Sequence, residues 1–177
     1  MLRVMYFLLS AVMVLIDQGT KLWAAGNLGE AGRVVEVIPG VFELRYCENR
    51  GVAFSLLEGQ KWLFIPLTLI AAILMVLLLL RSPLRQRPVF SVCCSLILAG
   101  GIGNLIDRIA YGYVIDFLYF RLIDFPIFNF ADCCVVVGAF LLFGFLRFGL
   151  KGEEDTPLRT LLLGIPVKVK EKSHEDE

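Results

Sequence analysis

Residues 100–132 read GGIGNLIDRIAYGYVIDFLYFRLIDFPIFNFAD. Most of this stretch is apolar enough to lie in a lipid bilayer, yet it carries Asp107, Asp116, Asp132, Asn104, Asn129 and Arg108. A charged side chain costs about 2.5–3.5 kcal/mol at the centre of a membrane helix, so such groups usually face a cavity and serve a function. The stretch therefore predicts a polar pocket set into a membrane scaffold, with the rest of the chain building that scaffold.

The composition agrees. Of 177 residues, 58% are hydrophobic and only 19% charged, and mean hydropathy is +0.75. Soluble domains carry about 25% charge and about 45–50% apolar residues, so this is an integral membrane protein. Net charge is zero, which gives no basic footprint for nucleic acid. Four apolar runs predict helices at about 4–25, 62–80, 89–109 and 127–147. The first has the short apolar core of a signal peptide, but the polar group DQGTK is a poor cleavage site, so the helix is expected to be retained. Between the first two runs lies a polar segment, about 26–60. Its Pro39-Gly40 marks a turn, and Phe42, Leu44 and Tyr46 alternate with Glu43 and Arg45 as in a half-buried strand.

The expected architecture is thus an all-α polytopic membrane protein, four transmembrane helices with a small extracytoplasmic β-sheet on the membrane surface. Residues 1–150 form a single integral-membrane domain, and 151–177 a charged cytoplasmic tail. The short 81–87 loop holds Arg81, Arg85 and Arg87 and no acid, which places it in the cytoplasm and, by parity, both termini with it. On this topology Asp17, the 49–55 segment, Asn104–Arg108 and Asn129–Asp132 all come to the outer leaflet.

The residue inventory narrows the chemistry. His174, the one histidine, sits in the acidic tail, which argues against a histidine-ligated zinc and a Ser-His-Asp triad. The five cysteines include no CxxC, and the two Cys-Cys pairs fall in apolar runs, where cysteine packs as a small hydrophobe. No cofactor and no metal are expected. Asp116 and Asp132 lie 16 positions apart, about 24 Å along one helix, but Pro126 interrupts such a helix and lets the intervening loop fold back. Two carboxylates in contact share a proton; the ionised one can activate water while the other protonates a carbonyl or leaving amine. From spacing alone a capping Asp and an unrelated loop Asp remain an alternative. So do a helix-cap role for Asn129, a terminal anchor or an Asp107 partner in Arg108, and a helix-end ion pair in Asp17 and Lys21. A proton or cation carrier and a non-enzymatic scaffold are the rival functions at this point.

The ordered blocks DQGTKLW (17–23), NRGVAFS (49–55), GGIGNLIDR (100–108), VIDF (114–117) and FNFAD (128–132) resemble the lipoprotein signal peptidase, or signal peptidase II, family over residues of about 6 to 147. The resemblance implies a membrane aspartic endopeptidase with Asp116 and Asp132 as its catalytic dyad. It implies positioning or substrate-binding roles for Asp17, Lys21, Asn49, Gly51, Phe54, Asn104, Arg108 and Asn129. The implied substrate is a lipid-modified bacterial prolipoprotein, cleaved just before its diacylglyceryl-cysteine. The implied location is the bacterial cytoplasmic (inner) membrane, where the chain is expected to act as a monomer among membrane lipids. Two features depart from the family pattern: a short interval LYFRLIDFPI between the dyad blocks, and Cys133 where a small hydroxyl residue is common.

Overall fold

The structure is a computed structural model that describes residues 2–29, 32–50, 61–83 and 87–148. In hydrocarbon every backbone N–H and C=O must be satisfied within the segment, and the apolar runs accordingly form helices. These are α1 (Leu2–Ala24), α2 (Lys61–Arg81), α3 (Pro88–Ala110) and α4 (Phe130–Phe148). A π-helical turn, Ala25–Gly29, extends α1. Three helical stretches among the described residues are long and apolar enough to cross a membrane: Arg3–Gly29, Pro88–Ala110 and Phe130–Phe148. The apolar part of α2, Ile65–Arg81, is shorter.

α3 is the central helix. Half of its apolar window is buried inside the protein, against 17% for α1 and α4, whose exposed Leu, Val and Phe side chains suit lipid. It packs on α4 and α1 through missing side chains. A Cβ at Gly100 would collide with the Ala131 carbonyl oxygen, and one at Gly103 would collide with the Asp17 carboxylate. Small residues let membrane helices approach this closely.

One apolar cluster, built on Met75, Leu78, Phe90, Cys94 and Leu98, fills the end of the bundle near Tyr6 and Phe7. A second, of Ala24, Leu28 and Phe117, lies near the other end of α1. Asp17 and Lys21 fall between them along the helix, in a layer that is polar and yet buried. All five cysteines are free thiols.

The sheet is antiparallel and three-stranded, in the order β1 (Val34–Ile38), β2 (Phe42–Asn49), β3 (Val114–Tyr119). Its third strand corrects the expectation that the sheet comes from the 26–60 segment alone and that Asp116 sits on a loop. Val114, Ile115, Asp116 and Phe117 are all buried, so the strand is covered on both faces and shows no alternation to read. β2 corrects a second detail. Glu43, expected on the polar face, is buried because Arg121 Nη1 reaches it at 2.7 Å. A register shift between Leu44 and Cys47 then re-aims the strand, setting Cys47 opposite Asp116.

After β3 the chain turns through Arg121–Ile123 and a left-handed Asp124, whose φ is +47°. It then folds back on β3. Phe117 and Leu118 both donate to the Phe128 carbonyl, and Phe128 donates to Leu118. This return delays α4 to Phe130, three residues beyond the expected start at 127, because Phe128 is engaged with the sheet.

Candidate active site

The first turn of α4 leaves backbone N–H groups without intrahelical partners. Asn129 and Asp132 satisfy two donors reciprocally. Asp132 N donates to Asn129 Oδ1 at 2.9 Å, and Asn129 N donates to Asp132 Oδ2 at 3.1 Å. This is a capping box with aspartate in the position that glutamate usually takes. The next donor, Ala131 N, bonds Asp17 Oδ1 on α1 at 2.9 Å. Asp132 is thus fixed at both oxygens, since Asn104 Nδ2 of α3 donates to its Oδ1 at 2.7 Å.

The returning loop brings Asn129 beside β3. Asn129 Nδ2 donates to Asp116 Oδ1 at 2.6 Å, and Asn49 Nδ2, from the end of β2, donates to Asp116 Oδ2 at 2.8 Å. Asn129 therefore touches both carboxylates, one through its side chain and the other through its backbone. Asp116 is 1% exposed. Burial pushes its carboxyl up to about 7 and the Asp132 charge adds to the rise, against the lowering effect of the two asparagine donors. A carboxyl with such a value can hold or release a proton near neutrality.

Behind this pair lies a second group, whose charged members Asp17, Lys21 and Asp107 are closed to solvent. Lys21 Nζ meets Asp17 Oδ2 at 2.9 Å, Asp107 Oδ2 at 2.8 Å and Asn104 Oδ1 at 2.9 Å. Gln18 Nε2 donates to both Asp17 Oδ2 (3.1 Å) and Asp107 Oδ1 (2.9 Å). Asp107 also accepts from Ile115 N at 3.1 Å, tying α3 to the residue just before Asp116.

On the Asp132 side of the pair, a cavity of about 340 Å³ runs between α2, α3 and α4. Asn104, Arg108 and Asp132 form its polar end, and residues such as Leu67, Ala71, Ile97 and Val135 its apolar length. Pockets for small ligands fall in the range of about 300–1,000 Å³ and are mostly apolar with a few placed polar groups. Arg108 Nη1 donates back to the Asn104 carbonyl at 3.1 Å, which holds the guanidinium along the wall of that end.

Residues 9–148 match the family model for signal peptidase (SPase) II. The chain belongs to the signal peptidase II family. Similar proteins include the lipoprotein signal peptidase of Enterococcus faecalis, 41% identical over 87% of this chain and 94% of its own length. That of Symbiobacterium thermophilum is 42% identical over 76% of this chain and 89% of its own. Two solved structures, both bacterial membrane enzymes, superpose with TM-scores of 0.74 and 0.73 at 31% and 32% identity. They cover 85% and 84% of this chain, and 92% and 94% of their own chains.

Eight of the ten residues that the sequence nominated for a signal peptidase II site are described, and they converge on one place. Asp132, Asn104 and Arg108 line the cavity; Asp116, Asn129 and Asn49 stand beside it; Asp17 and Lys21 are buried behind, each 1% exposed. Gly51 and Phe54 lie outside the described residues. Sequence reasoning missed Gln18 and assigned Asp107 no part. Gln18 stands next to Asp17 within the DQGTK block, and Asp107 lies next to Arg108 within GGIGNLIDR, so the motifs held both. What they do not show is that Lys21, 86 positions earlier, is the partner of Asp107.

Proposed function

We propose that this signal peptidase II family member is an aspartic endopeptidase of the bacterial cytoplasmic membrane, with Asp116 and Asp132 as its dyad. It removes signal peptides from lipoprotein precursors. The substrate carries a diacylglyceryl-modified cysteine, and the bond cleaved is the one before it. The observation that carries this reading is Asn129 holding both carboxylates, one of which, Asp132, lines the polar end of a cavity whose length is apolar. A signal peptide and two acyl chains are apolar and arrive within the bilayer; only the scissile bond needs polar surroundings.

In the proposed mechanism Asp116 carries the proton and Asp132 is ionised. Asp132 takes a proton from water as the oxygen attacks the scissile carbonyl, and Asp116 gives its proton to the carbonyl oxygen. The result is a tetrahedral diol, with the two carboxyls having exchanged roles. Return of a proton from Asp132 to the leaving nitrogen, and of a hydroxyl proton to Asp116, breaks the C–N bond and restores the starting state. Water supplies the hydroxyl that the new carboxyl gains and the hydrogen that the leaving amine gains.

The proposed placement in the membrane has α2 as a fourth span and both termini in the cytoplasm. The dyad then faces the extracytoplasmic leaflet, with the sheet on its surface. Residues 1–150 make one peptidase domain that acts as a monomer among lipids, and the tail 151–177 lies outside the described residues. The deciding experiment compares the purified protein with Asp116→Asn on a lipidated and an unlipidated prolipoprotein. The expected result is cleavage of the lipidated form by the wild type alone. Cleavage by Asp116→Asn would remove the aspartic assignment, and equal cleavage of both forms would remove the lipid requirement.

A further inference from the structure

Among the described residues Lys21 is the largest side chain that the fold buries to 1% exposure or less, and no step of the mechanism above uses it. We infer that Lys21 is a positioning residue for the reaction, acting through the Asn104 amide by fixing which end of that amide faces Asp132. The inference rests on the dyad reading. A primary amide has two ends of nearly equal shape, one that only donates and one that only accepts. Asn104 offers Nδ2 to Asp132 Oδ1 at 2.7 Å and Oδ1 to Lys21 Nζ at 2.9 Å. Turning it round would set NH2 against an ammonium and oxygen against a carboxylate, exchanging two attractive contacts for two repulsive ones.

The same oxygen accepts from Asn129 Nδ2 at 3.0 Å, and that amide nitrogen also donates to Asp116 at 2.6 Å. One cation therefore sets the sense of a chain of amides that ends on both carboxylates. Lys21 is equipped for this and for nothing nearer the substrate. Its three N–H donors match three acceptors, Asp17, Asp107 and Asn104, which leaves none for a ligand. Asn104 reaches the cavity wall, whereas Lys21 is 1% exposed.

The test separates the donor from the charge. Lys21→Met removes both; Lys21→Gln removes the charge but keeps an N–H donor for Asn104 Oδ1. Each is purified, its thermal stability measured, and kcat and KM determined on a lipidated prolipoprotein per folded molecule. Both variants lose the ion pairs to Asp17 and Asp107, so both should melt lower. The expected result is a kcat about tenfold or more lower for Lys21→Met than for Lys21→Gln, with KM similar in the two. Equal kcat in the two variants, or a wild-type kcat in Lys21→Met, would make Lys21 a structural ion partner only.

If neither variant folds, Lys21→Met is combined with Asp107→Asn, which removes one of the carboxylates left without a cation. This double variant should fold and remain slow, and recovery of kcat along with folding would overturn the proposal. Asp132→Asn is assayed alongside. Activity there would bring down the dyad reading and this inference together. Its inactivity beside a fast Lys21→Met would bring down this inference alone.

Discussion

Two pairs of carboxylates lie at the same end of this bundle, held by different means. Asp17 and Asp107 share one ammonium, Lys21, and one amide, Gln18. Asp116 is held by the side-chain amides of Asn49 and Asn129, and Asp132 by the Asn104 amide and the Asn129 backbone N–H. A cation in contact attracts a carboxylate by charge. A neutral donor orients a carboxylate without supplying a full charge. The first pair ties helices together: Asp17 caps α4 and Asp107 anchors β3. The second pair is the proposed dyad. On the proposed dyad reading, four similar side chains divide into structure and chemistry according to what donates to them.

The sharpest way to break this comparison is to neutralise one member of each pair. Asp132→Asn should abolish cleavage while the protein stays folded and in the membrane. Asp107→Asn should do the opposite. It leaves Lys21 with one carboxylate fewer in a buried site, at a cost of about 3–5 kcal/mol, the range for breaking a buried ion pair. The folded amount should drop, with turnover per folded molecule largely kept. Thermal melts beside cleavage rates decide this. A stable but dead Asp107→Asn would place Asp107 in the reaction and erase the distinction between the pairs.

A smaller effect is expected at Arg108, which stands on the cavity wall with Asn104 and Asp132. Lysine keeps the charge but loses the rigid fork of five donors, so Arg108→Lys should cleave markedly more slowly at matched membrane abundance, and Arg108→Ala more slowly still. Near wild-type rates in the lysine variant would leave Arg108 as a helix-end anchor. The smallest effect belongs to Arg121, whose side chain is half exposed where it meets Glu36 and Glu43. The pair with Glu36 is exposed, and such pairs contribute about 0–1 kcal/mol. Loss of the Arg121 side chain also opens buried Glu43 to water, so Arg121→Ala should lower the melting temperature modestly and leave cleavage intact. A large loss there would show that the sheet depends on this pair more than its exposure implies.

Much of the molecule was legible in local patterns, for a physical reason. Uninterrupted apolar runs located the helices, and the i,i+4 spacing of Asp17 and Lys21 put them on one face, where they pair at 2.9 Å. Asn129 and Asp132, three apart, form the helix cap that the competing reading offered, and the same pair meets the residues proposed as the site. Features that depend on distant contacts were not legible. β3 is buried on both faces and has no alternation. Glu43 reads as solvated until Arg121, 78 positions later, covers it. Asp107 looks like a helix-end acid until α1 supplies Lys21 and β3 supplies Ile115 N.

The central claim is that Asp116 carries the proton the reaction donates, and the pH dependence of cleavage tests it most directly. Burial, aided by the Asp132 charge, raises Asp116 to about 7, so its proton is present below that value and lost as pH climbs through it. Loss of the general acid should then lower kcat/KM above about pH 7, approaching tenfold for each further pH unit. The measurement is kcat/KM on a lipidated prolipoprotein in detergent from about pH 6 to about pH 9, with melting temperatures taken at each point to exclude unfolding. The account predicts an alkaline limb with its midpoint near pH 7 in a protein that remains folded. A rate that stays level or rises across that range would contradict it.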